Sequence, residues 1–290
     1  MEELTLLFLA GGMSSRFGGN PKMLTKIGPN NESLFEMSIL QLKDKIKVCH
    51  VHIVVNSANK DSIMEEVNHV CEKHSICEKV TYNIQLLPPY RVKPFGTADA
   101  LESAHDYIKT PFILLNSDDL YDCKTFELIS NEYDSSNNYI IGFKLGSTLI
   151  DDNKANRGFI NIDSNDDNDN DNYNDNYNDN YNRNVLSLEE KLNIERNQYN
   201  DLELENIYVS VNLLLLQPKI LTDLSLMVTE FKQKCQDKCD KVSEALLPNF
   251  LNNLIKEEKL KLKLLKSRGS WNGITYQDDI KNIREILEKY

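Results

Sequence analysis

Short apolar runs alternate with segments of helical periodicity over the first half of this sequence, and this alternation limits the folds that the chain can adopt. Four runs of strand length are bounded by turn-forming residues: TLLFLA, VHIVVN, YNIQLL and FILLNS. Between them, SLFEMSILQLKDK, DSIMEEVNHVCEKH and TADALESAHDYI carry apolar residues at the spacing of an amphipathic helix. Strand–helix alternation predicts an α/β fold, in which a largely parallel sheet has helices on both faces.

The pattern of predicted elements changes from Tyr139 onward, where strand-like runs follow one another without full helices between them. The strand-like runs are YIIGFKL, RGFINID, NVLSLEEK and IYVSVNLLLL. After Leu216 the chain returns to helices, with one more apolar run, KLKLKLLKS, before SWNGITYQDDI and a closing amphipathic helix. Because no linker divides the chain, we predict a single domain over residues 1–290, built as a three-layer α/β/α sandwich with a mostly parallel, mixed sheet.

One tract interrupts the strands of the second half. Residues 163–183 consist largely of repeated Asn, Asp and Tyr and contain no aliphatic side chain. Such a composition cannot bury enough apolar surface to offset the entropy of ordering, so we expect a disordered insertion between two strands. Calcium binding is the obvious functional alternative, but the spacing lacks the glycine and the terminal glutamate of a calcium loop.

Composition excludes several classes of protein. The net charge is −12, and the six aspartates of residues 164–182 supply half of this excess of negative charge. An acidic chain argues against nucleic-acid binding, which needs a basic face. No apolar stretch approaches the roughly 20 residues of a membrane helix, and two glutamates precede the first apolar run, unlike the basic start of a signal peptide. We expect a cytoplasmic protein without membrane or nucleic-acid partners; an oligomer is compatible with the sequence, which carries no signal for or against one.

The cysteines show no pattern of a metal or disulfide framework. The six positions are Cys49, Cys71, Cys77, Cys123, Cys235 and Cys239. None forms a CxxC pair, and no histidine cluster accompanies them as in a zinc site. Cys235 and Cys239 lie four residues apart in a predicted helix and would face the same way. Free thiols in a reducing compartment remain the simpler interpretation.

A glycine-rich, cationic loop follows the first apolar run. In parallel sheets, ligands bind beyond the carboxyl ends of strands, and this loop begins at such an end. Gly11 and Gly12 leave backbone N–H groups unobstructed for an anion. Arg16 offers a planar fork to phosphate oxygens and Lys22 a mobile positive charge. The spacing fits neither a P-loop nor the dinucleotide fingerprint. We predict a phosphate-binding loop; the alternative is a solvated surface loop.

Leu9 to Leu24, LAGGMSSRFGGNPKML, resembles the signature of the sugar-1-phosphate nucleotidyltransferases: an apolar strand, then xGGxxxRx, then a Pro-Lys pair. Further segments resemble that family in the family's order: PFGTADAL, LLNSDDLYD, NRGFI, LEEK, VSVN and WNGITYQDDI. The similarity covers nearly the whole chain except the Asn/Asp tract. It implies the nucleotide-diphospho-sugar transferase fold, which is GT-A-like and of Rossmann type. It also implies that a sugar 1-phosphate attacks the α-phosphorus of a nucleoside triphosphate and releases pyrophosphate.

The resemblance also implies a role for each matched residue. The implied sets are Arg16 and Lys22 for catalysis, Ala10, Gly11, Gly12, Gly96 and Thr97 for the nucleotide, Gly158, Glu190 and Asn212 for the sugar, and Asp118 and Thr275 for Mg²⁺. In this family NRGFI corresponds to a glycine turn beside the sugar. The closing segment usually offers an Asp or Asn to the metal, so Thr275 is a departure from the pattern.

Several of these residues also have a plain structural interpretation. Thr97 and Thr275 suit the N-cap positions of the helices that follow them. Asp119 is either a partner of Asp118 or a helix N-cap, and we favour the cap. Glu190 and Asn212 are otherwise a surface carboxylate and a strand-end amide.

The motif set most resembles uridylyltransferases, so we favour UTP with N-acetylglucosamine 1-phosphate or glucose 1-phosphate. One alternative is cytidylyl or guanylyl transfer to another phosphorylated substrate. Another is a regulatory subunit that binds a nucleotide sugar without catalysis, although such proteins commonly lose the loop Arg, the Lys or the metal Asp. A glycosyltransferase is disfavoured because SDDL is not the DxD motif of those enzymes.

Overall fold

The computed structural model describes residues 3–13, 17–149, 153–163, 183–274 and 277–287. The strands in these ranges are β1 (Leu4–Ala10), β2 (Val48–Val55), β3 (Lys79–Ile84), β4 (Phe112–Asn116), β5 (Asp119–Tyr121), β6 (Asn138–Lys144), β7 (Ala155–Ile162), β8 (Arg183–Ile194), β9 (Tyr208–Leu216), β10 (Leu262–Lys266) and β11 (Trp271–Gly273). The helices are α1 (Leu34–Leu42), α2 (Lys60–His74), α3 (Thr97–Ser103), α4 (Cys123–Glu132), α5 (Leu145–Thr148), α6 (Asp201–Asn206), α7 (Lys219–Asp237), α8 (Leu247–Lys256) and α9 (Gln277–Leu287).

The main sheet of the described residues has nine strands in the order β3-β2-β1-β4-β9-β6-β10-β8-β7. Strands β3, β2, β1 and β4 form a parallel block, and β10 is parallel to β6. Only β8 and β9 run against the other seven. The predicted mixed, mostly parallel sheet is therefore confirmed. Its parallel block places the carboxyl ends of β1 and β4 side by side, with Leu9 opposite Asn116.

Helices cover both faces of the sheet, as predicted. Side chains of β1 alternate between two cores: Leu6 and Phe8 pack with residues of α1, α2 and α4, whereas Leu7 and Leu9 pack with residues of α3, α7 and α8. A strand buried on both faces must be apolar at nearly every position, which explains the unbroken run in β1. The three-layer α/β/α sandwich is confirmed.

Side-chain contacts at α1 and at the cysteines add to this description. Ser33 caps α1 by accepting from the Glu36 N–H at 3.0 Å, but the buried Glu36 carboxylate binds Lys73 and His74 of α2. The two cysteines do not face the same way, because Cys235 is buried in α7 and Cys239 lies exposed beyond its end. All six cysteines are free thiols.

Strands β7 and β8 flank the Asn/Asp tract and pair with each other in antiparallel fashion. Residues 164–182 of the tract lie outside the described residues, so its predicted disorder stays a prediction. Among the described helices, none combines the length and the hydropathy required to cross a bilayer. The cytoplasmic location and the single-domain organisation also remain predictions.

Candidate active site

A cleft opens at the carboxyl ends of β1 and β4. Its lining includes Ala10, Gly12, Lys22, Ser117 and Asp118. The Lys22 ammonium donates to Asp118 Oδ2 at 2.8 Å, and the two side chains are 17% and 38% exposed. A lysine and an aspartate that lie 96 residues apart in the chain thus share one partly shielded site.

Two glycines return the chain to this cleft after the first loop. Gly18 and Gly19 have φ angles of +64° and +85°, in the region that favours glycine. The turn is closed by the Asn20 N–H, which donates to the Phe17 carbonyl at 3.3 Å. Pro21 then precedes the 3-10 turn Lys22–Leu24, so Lys22 begins a short ordered segment. The buried Met23 fixes that segment against the core.

Gln85, at the end of β3, links the first glycine pair to a second candidate segment. Gly11 packs directly against the Gln85 side chain, which leaves no room for a Cβ on Gly11. The Gln85 amide donates to the Gly96 carbonyl at 3.0 Å and to Asp99 Oδ2 at 2.8 Å. Asp99 in turn pairs with Lys232 of α7 at 2.8 Å. The Gly11 and Gly96 segments are therefore neighbours held by a buried polar chain.

The Gly96–Thr97 turn is held from the other side by residues 245–247. Gly96 has a φ of +107°, and a Cβ there would lie 2.8 Å from the Ala245 carbonyl. The Ala98 N–H donates to that same carbonyl at 2.9 Å. Thr97 is the first residue of α3 and does not cap it; its hydroxyl accepts from the Leu247 N–H at 3.0 Å. The N-cap interpretation of Thr97 was therefore wrong.

Arg91 fastens the loop between β3 and α3 to residues 240–243. Its fully buried guanidinium group donates to the backbone carbonyls of Lys93, Pro94, Asp240 and Ser243. A planar cation with four carbonyl partners fixes the path of both loops at once. The position of the Gly96 turn thus depends on contacts from residues about 150 positions later.

The predicted sugar residues lie on β7 and β8, at the far edge of the sheet, and on β9, which pairs with β4. Gly158 of β7 stands opposite Glu190 of β8 and opposite Ser210 of β9. It lies in the middle of β7 and not in a turn, so the predicted glycine turn was wrong. A Cβ on Gly158 would meet Pro248 at 3.2 Å, which gives a packing reason for the glycine.

Asn212 lies at an irregularity in β9. The pairing of β6 with β9 shifts register between Ile140 and Gly142, and Asn212 has a φ of +63°. The neighbouring Val211 carbonyl accepts from Asn116 Nδ2 at 3.1 Å. A bulge of this kind redirects a side chain and often lies beside a functional site. The contact with Asn116 connects the sugar strands to the end of β4, two residues before Asp118.

Asp118 and Asp119 have different surroundings. Asp119 is buried in β5, and its Oδ2 accepts from Asn116 at 2.9 Å and from the Tyr121 hydroxyl at 3.0 Å. Burial, and then the neighbouring Asp118 charge, raises the pKa of Asp119 to about 7. The helix cap predicted for Asp119 is instead made by Asp122, whose side chain accepts from Lys124 N–H at the start of α4. The interpretation of Asp119 as a cap was wrong.

The closing segment lies beside these aspartates. β11 pairs with β5, which places Gly273 opposite Asp119, and the Ile274 N–H donates to the Asp118 carbonyl at 2.8 Å. The guanidinium group of Arg157 stacks on Trp271 of β11 at 4.7 Å. The pKa of Glu190 is raised to about 7 by burial, which the charge of Arg157 opposes. A partly buried group of ionisable side chains thus connects the sugar strands to β5.

Two of the predicted residues, Arg16 and Thr275, lie outside the described residues, and their roles stay predictions. Sequence reasoning missed Gln85, Arg91 and Arg157. The signal for Gln85 was its position at the carboxyl end of a parallel strand. Arg91 and Arg157 gave no such signal, because their partners are backbone carbonyls and an indole ring from distant segments.

Asp118 is the described side chain most suited to a divalent cation. Within the described residues, no group of three or more His, Cys, Asp or Glu side chains is arranged to hold a metal ion. Mg²⁺ needs no such group, because it is commonly held by one or two carboxylates together with substrate phosphates and water. A carboxylate that is partly exposed in a cleft, beside a lysine, fits this mode of binding.

Comparison with known proteins gives a fold but no close relative. No family model matches the sequence, and no curated protein matches it. A UDP-glucose pyrophosphorylase solved in complex with UDP-glucose is 13% identical, with a TM-score of 0.66 over 99% of both chains. The inositol-1-phosphate CTP transferase from T. maritima is 14% identical, with a TM-score of 0.63 over 99% of this chain and 96% of the other. The UTP-bound UGPase from Acinetobacter baumannii is 12% identical, with a TM-score of 0.61 over 98% and 93%. This chain therefore has the fold of the sugar-1-phosphate nucleotidyltransferases.

Proposed function

We propose that this protein is a nucleotidyltransferase that joins a nucleoside triphosphate to a sugar 1-phosphate and releases pyrophosphate. The observation that carries the proposal is the Lys22–Asp118 pair at 2.8 Å in a cleft beside Gly12. A cation, a carboxylate and exposed glycine backbone at the ends of parallel strands are what a polyphosphate and its metal ion require. The fold shared with enzymes of this reaction class supports the proposal.

The central physical problem of this reaction is the repulsion between two anionic substrates. A protein with a net charge of −12 must concentrate positive groups at the reacting phosphorus. Lys22 is assigned to the α-phosphate, where negative charge builds up during displacement, and Arg16 to the departing phosphates. The attacking phosphate oxygen is already ionised, so no general base is needed. Catalysis then consists of positioning and charge stabilisation.

Asp118 would hold Mg²⁺, which supplies charge neutralisation to the phosphate oxygens when it is bound. The closing segment is the source of the second oxygen ligand in this proposal. Thr275 was assigned to it from the sequence. Asn272 of β11 is an alternative amide, because β11 pairs with β5, which begins directly after Asp118.

The base and the sugar are assigned to the two flanking segments. The turn at Gly96 and Thr97, held beside Gly11 by Gln85, would place backbone groups against the base edge. Gly158, Glu190 and Asn212 would face the sugar. We favour UTP with N-acetylglucosamine 1-phosphate or glucose 1-phosphate. The neighbour that uses CTP keeps cytidylyl transfer as the specific alternative.

A substrate matrix tests the proposal. The purified protein is incubated with Mg²⁺, each of the common nucleoside triphosphates and a panel of sugar 1-phosphates and inositol 1-phosphate, and pyrophosphate release is measured. The expected result is turnover with UTP and a hexose 1-phosphate. Turnover with CTP alone would select the alternative. Nucleotide-sugar binding without turnover in any pair would indicate a regulatory subunit.

A matched pair of lysine variants locates the reaction. Lys22→Met should lower pyrophosphate release by about 100-fold, because it removes the cation at the reacting phosphate. Lys26→Met is the control, since Lys26 is an exposed lysine nearby that pairs with Glu66. Equal losses in both variants, or no loss in Lys22→Met, would exclude this cleft as the active site.

A further inference from the structure

A second cavity, of about 520 Å³, lies at the opposite edge of the sheet from Lys22 and Asp118. It is bounded by the amino ends of β1, β2 and β3 and by the end of α2. Three of the residues that line it are Cys49, Cys71 and Cys77. Because β1, β2 and β3 are parallel, this edge is separate from the cleft at their carboxyl ends. The cavity is therefore not part of the candidate active site.

The end of α2 brings two of these cysteines together. Cys71 lies in the last turn of α2, and Ser75, the first residue after that helix, has a left-handed φ of +52°. The Ile76 N–H donates to the Cys71 carbonyl at 3.0 Å, so the chain turns back over the helix end just before Cys77. Both side chains pack against the same apolar core and line the same cavity.

The two thiols differ in access and in acidity. Cys71 is only 3% exposed, whereas Cys77 is partly exposed. The neighbouring Cys71 thiol lowers the pKa of Cys77 to about 7, against the effect of burial. The neighbouring Cys77 thiol, together with burial, raises the pKa of Cys71. An accessible thiol with thiolate character beside a second thiol is the arrangement of a reactive cysteine and its resolving partner.

We propose that Cys77 and Cys71 form a thiol–disulfide exchange site for low-molecular-weight disulfides. The Cys77 thiolate attacks one sulfur of the small disulfide, forms a mixed disulfide and expels one thiolate. The Cys71 thiol then loses its proton, and its sulfur attacks Cys77 Sγ and expels the second thiolate. The net change is one Cys71–Cys77 disulfide and one small disulfide reduced to two thiols.

Two alternatives for these cysteines are a metal site and a role for Cys49 as the resolving thiol, and neither fits the structure as closely. In the part of the chain that the structure describes, no His, Cys, Asp and Glu side chains form a metal-binding group of three or more. Cys49 lies on β2, outside the turn that joins the other two. The thiols of Cys49 and Cys77 both contact backbone carbonyls, of Leu4 at 3.5 Å and of Lys79 at 3.2 Å, so position and not bonding separates Cys49. Cys71 is therefore the resolving partner.

The test uses the reduced full-length protein and oxidised glutathione near neutral pH. After acid quenching and alkylation, peptide mass spectrometry should find an internal disulfide between Cys71 and Cys77, with the loss of two hydrogens. The exposed Cys239 is the internal control for unassisted reactivity, and it should carry at most a mixed disulfide. This measurement needs no variant and does not depend on the proposed enzymatic activity.

Two variants separate the steps. Cys71→Ser should stop at glutathione bound to Cys77, because no resolving thiol remains. Cys77→Ser should leave the buried Cys71 unmodified. A circular dichroism spectrum like that of the wild type is the control that each variant is folded. Three outcomes would overturn the proposal: Cys77 unmodified while Cys239 reacts, a mixed disulfide at Cys77 that persists in the wild type, or a disulfide that includes Cys49.

Discussion

Two buried histidines on β2 form a hydrogen-bonded chain that requires the His52 ring to be neutral. His52 Nε2 contacts Asn83 Oδ1 at 2.8 Å, and His52 Nδ1 contacts Thr81 Oγ1 at 2.6 Å. Asn83 Oδ1 can only accept, so His52 Nε2 carries the proton and Nδ1 accepts from the Thr81 hydroxyl. His50 Nε2, at 2.6 Å from the same hydroxyl oxygen, is then a donor. A further proton on His52 would leave the Thr81 hydroxyl hydrogen without its acceptor.

The surroundings oppose the charged form of both rings. His52 is fully buried, stacked on Tyr107 at 4.8 Å, and His50 is 5% exposed. Burial, and the positive charge of nearby Lys79, lower the pKa of each ring from 6.5 to about 4. The hydrogen bond to Asn83 opposes this shift only in part at His52.

The sign and size of the effect on stability follow from these pKa values. As the pH drops from 6.5 towards about 4, the two histidines bind protons in the unfolded chain but not yet in the folded chain. The free energy of unfolding therefore falls over this range. Between about pH 7 and pH 5, each ring contributes a loss of about 2 kcal/mol. Because the two rings lie 5.8 Å apart and titrate together, we expect a loss of about 3 kcal/mol for the pair.

Urea unfolding at a series of pH values measures this loss. The wild type is compared with a His50→Asn, His52→Gln double variant, in which neutral amides replace the rings. The wild type should lose about 3 kcal/mol more than the variant over this pH range. The comparison is between the pH-dependent losses of the two proteins, so the contributions of carboxylates, which both share, cancel. Any cost of the substitutions that does not depend on pH cancels as well. The exposed His69→Gln variant is the control and should follow the wild type. Parallel curves for the wild type and the double variant would refute the reasoning.

Three further predictions concern the candidate active site. Arg91→Met should speed amide exchange at Ala98 and raise the KM for the nucleoside triphosphate by about tenfold, because the Gly96 turn loses its support. Lys93→Met removes only a surface ion pair with Glu244 between the same loops, so it should change neither quantity. Asp118→Asn should suppress the magnesium dependence of turnover, and a magnesium titration like that of the wild type would contradict this role. Deletion of residues 164–182 should leave turnover within about threefold, and an inactive enzyme would mean that the tract is more than a spacer.

The sequence was sufficient for the nine strands of the main sheet and for α1, α2 and α3, whereas β5, β11, α4, α5 and α6 were not predicted. β1 is buried on both faces, so its residues other than Thr5 are apolar and the strand is easily identified. The order of strands was not encoded in this way. β10 comes near the end of the chain and inserts between β6 and β8, and β9 runs against its neighbours. Such pairings depend on packing between segments that no local pattern reports.

The errors at the site concern side chains that have other partners in the folded chain. Thr97 and Asp119 were interpreted as helix caps, but Thr97 accepts from Leu247, and the buried Asp119 accepts from Asn116 and Tyr121. The glycine turn at Gly158 was implied by the family resemblance, whereas Gly158 lies within β7 and packs against Pro248. A short polar side chain caps a helix when no other partner is present, but these contacts supplied another partner.

The Lys22–Asp118 pair shows how the backbone brings together two charged residues that are distant in sequence. Either residue type is common on a protein surface, and an acidic chain offers its lysines many carboxylates. A long lysine side chain loses rotamer entropy when it is held in one place, and a single exposed ion pair returns little of that cost. Only this side-chain entropy is lost here, because the backbone of Lys22 is already fixed by the Pro21 turn and the buried Met23. Asp118 is fixed in the same way by the hydrogen bond of its carbonyl to Ile274. The two charges therefore meet because rigid backbone positions them, which is the preorganisation that charge stabilisation at a reacting phosphate requires.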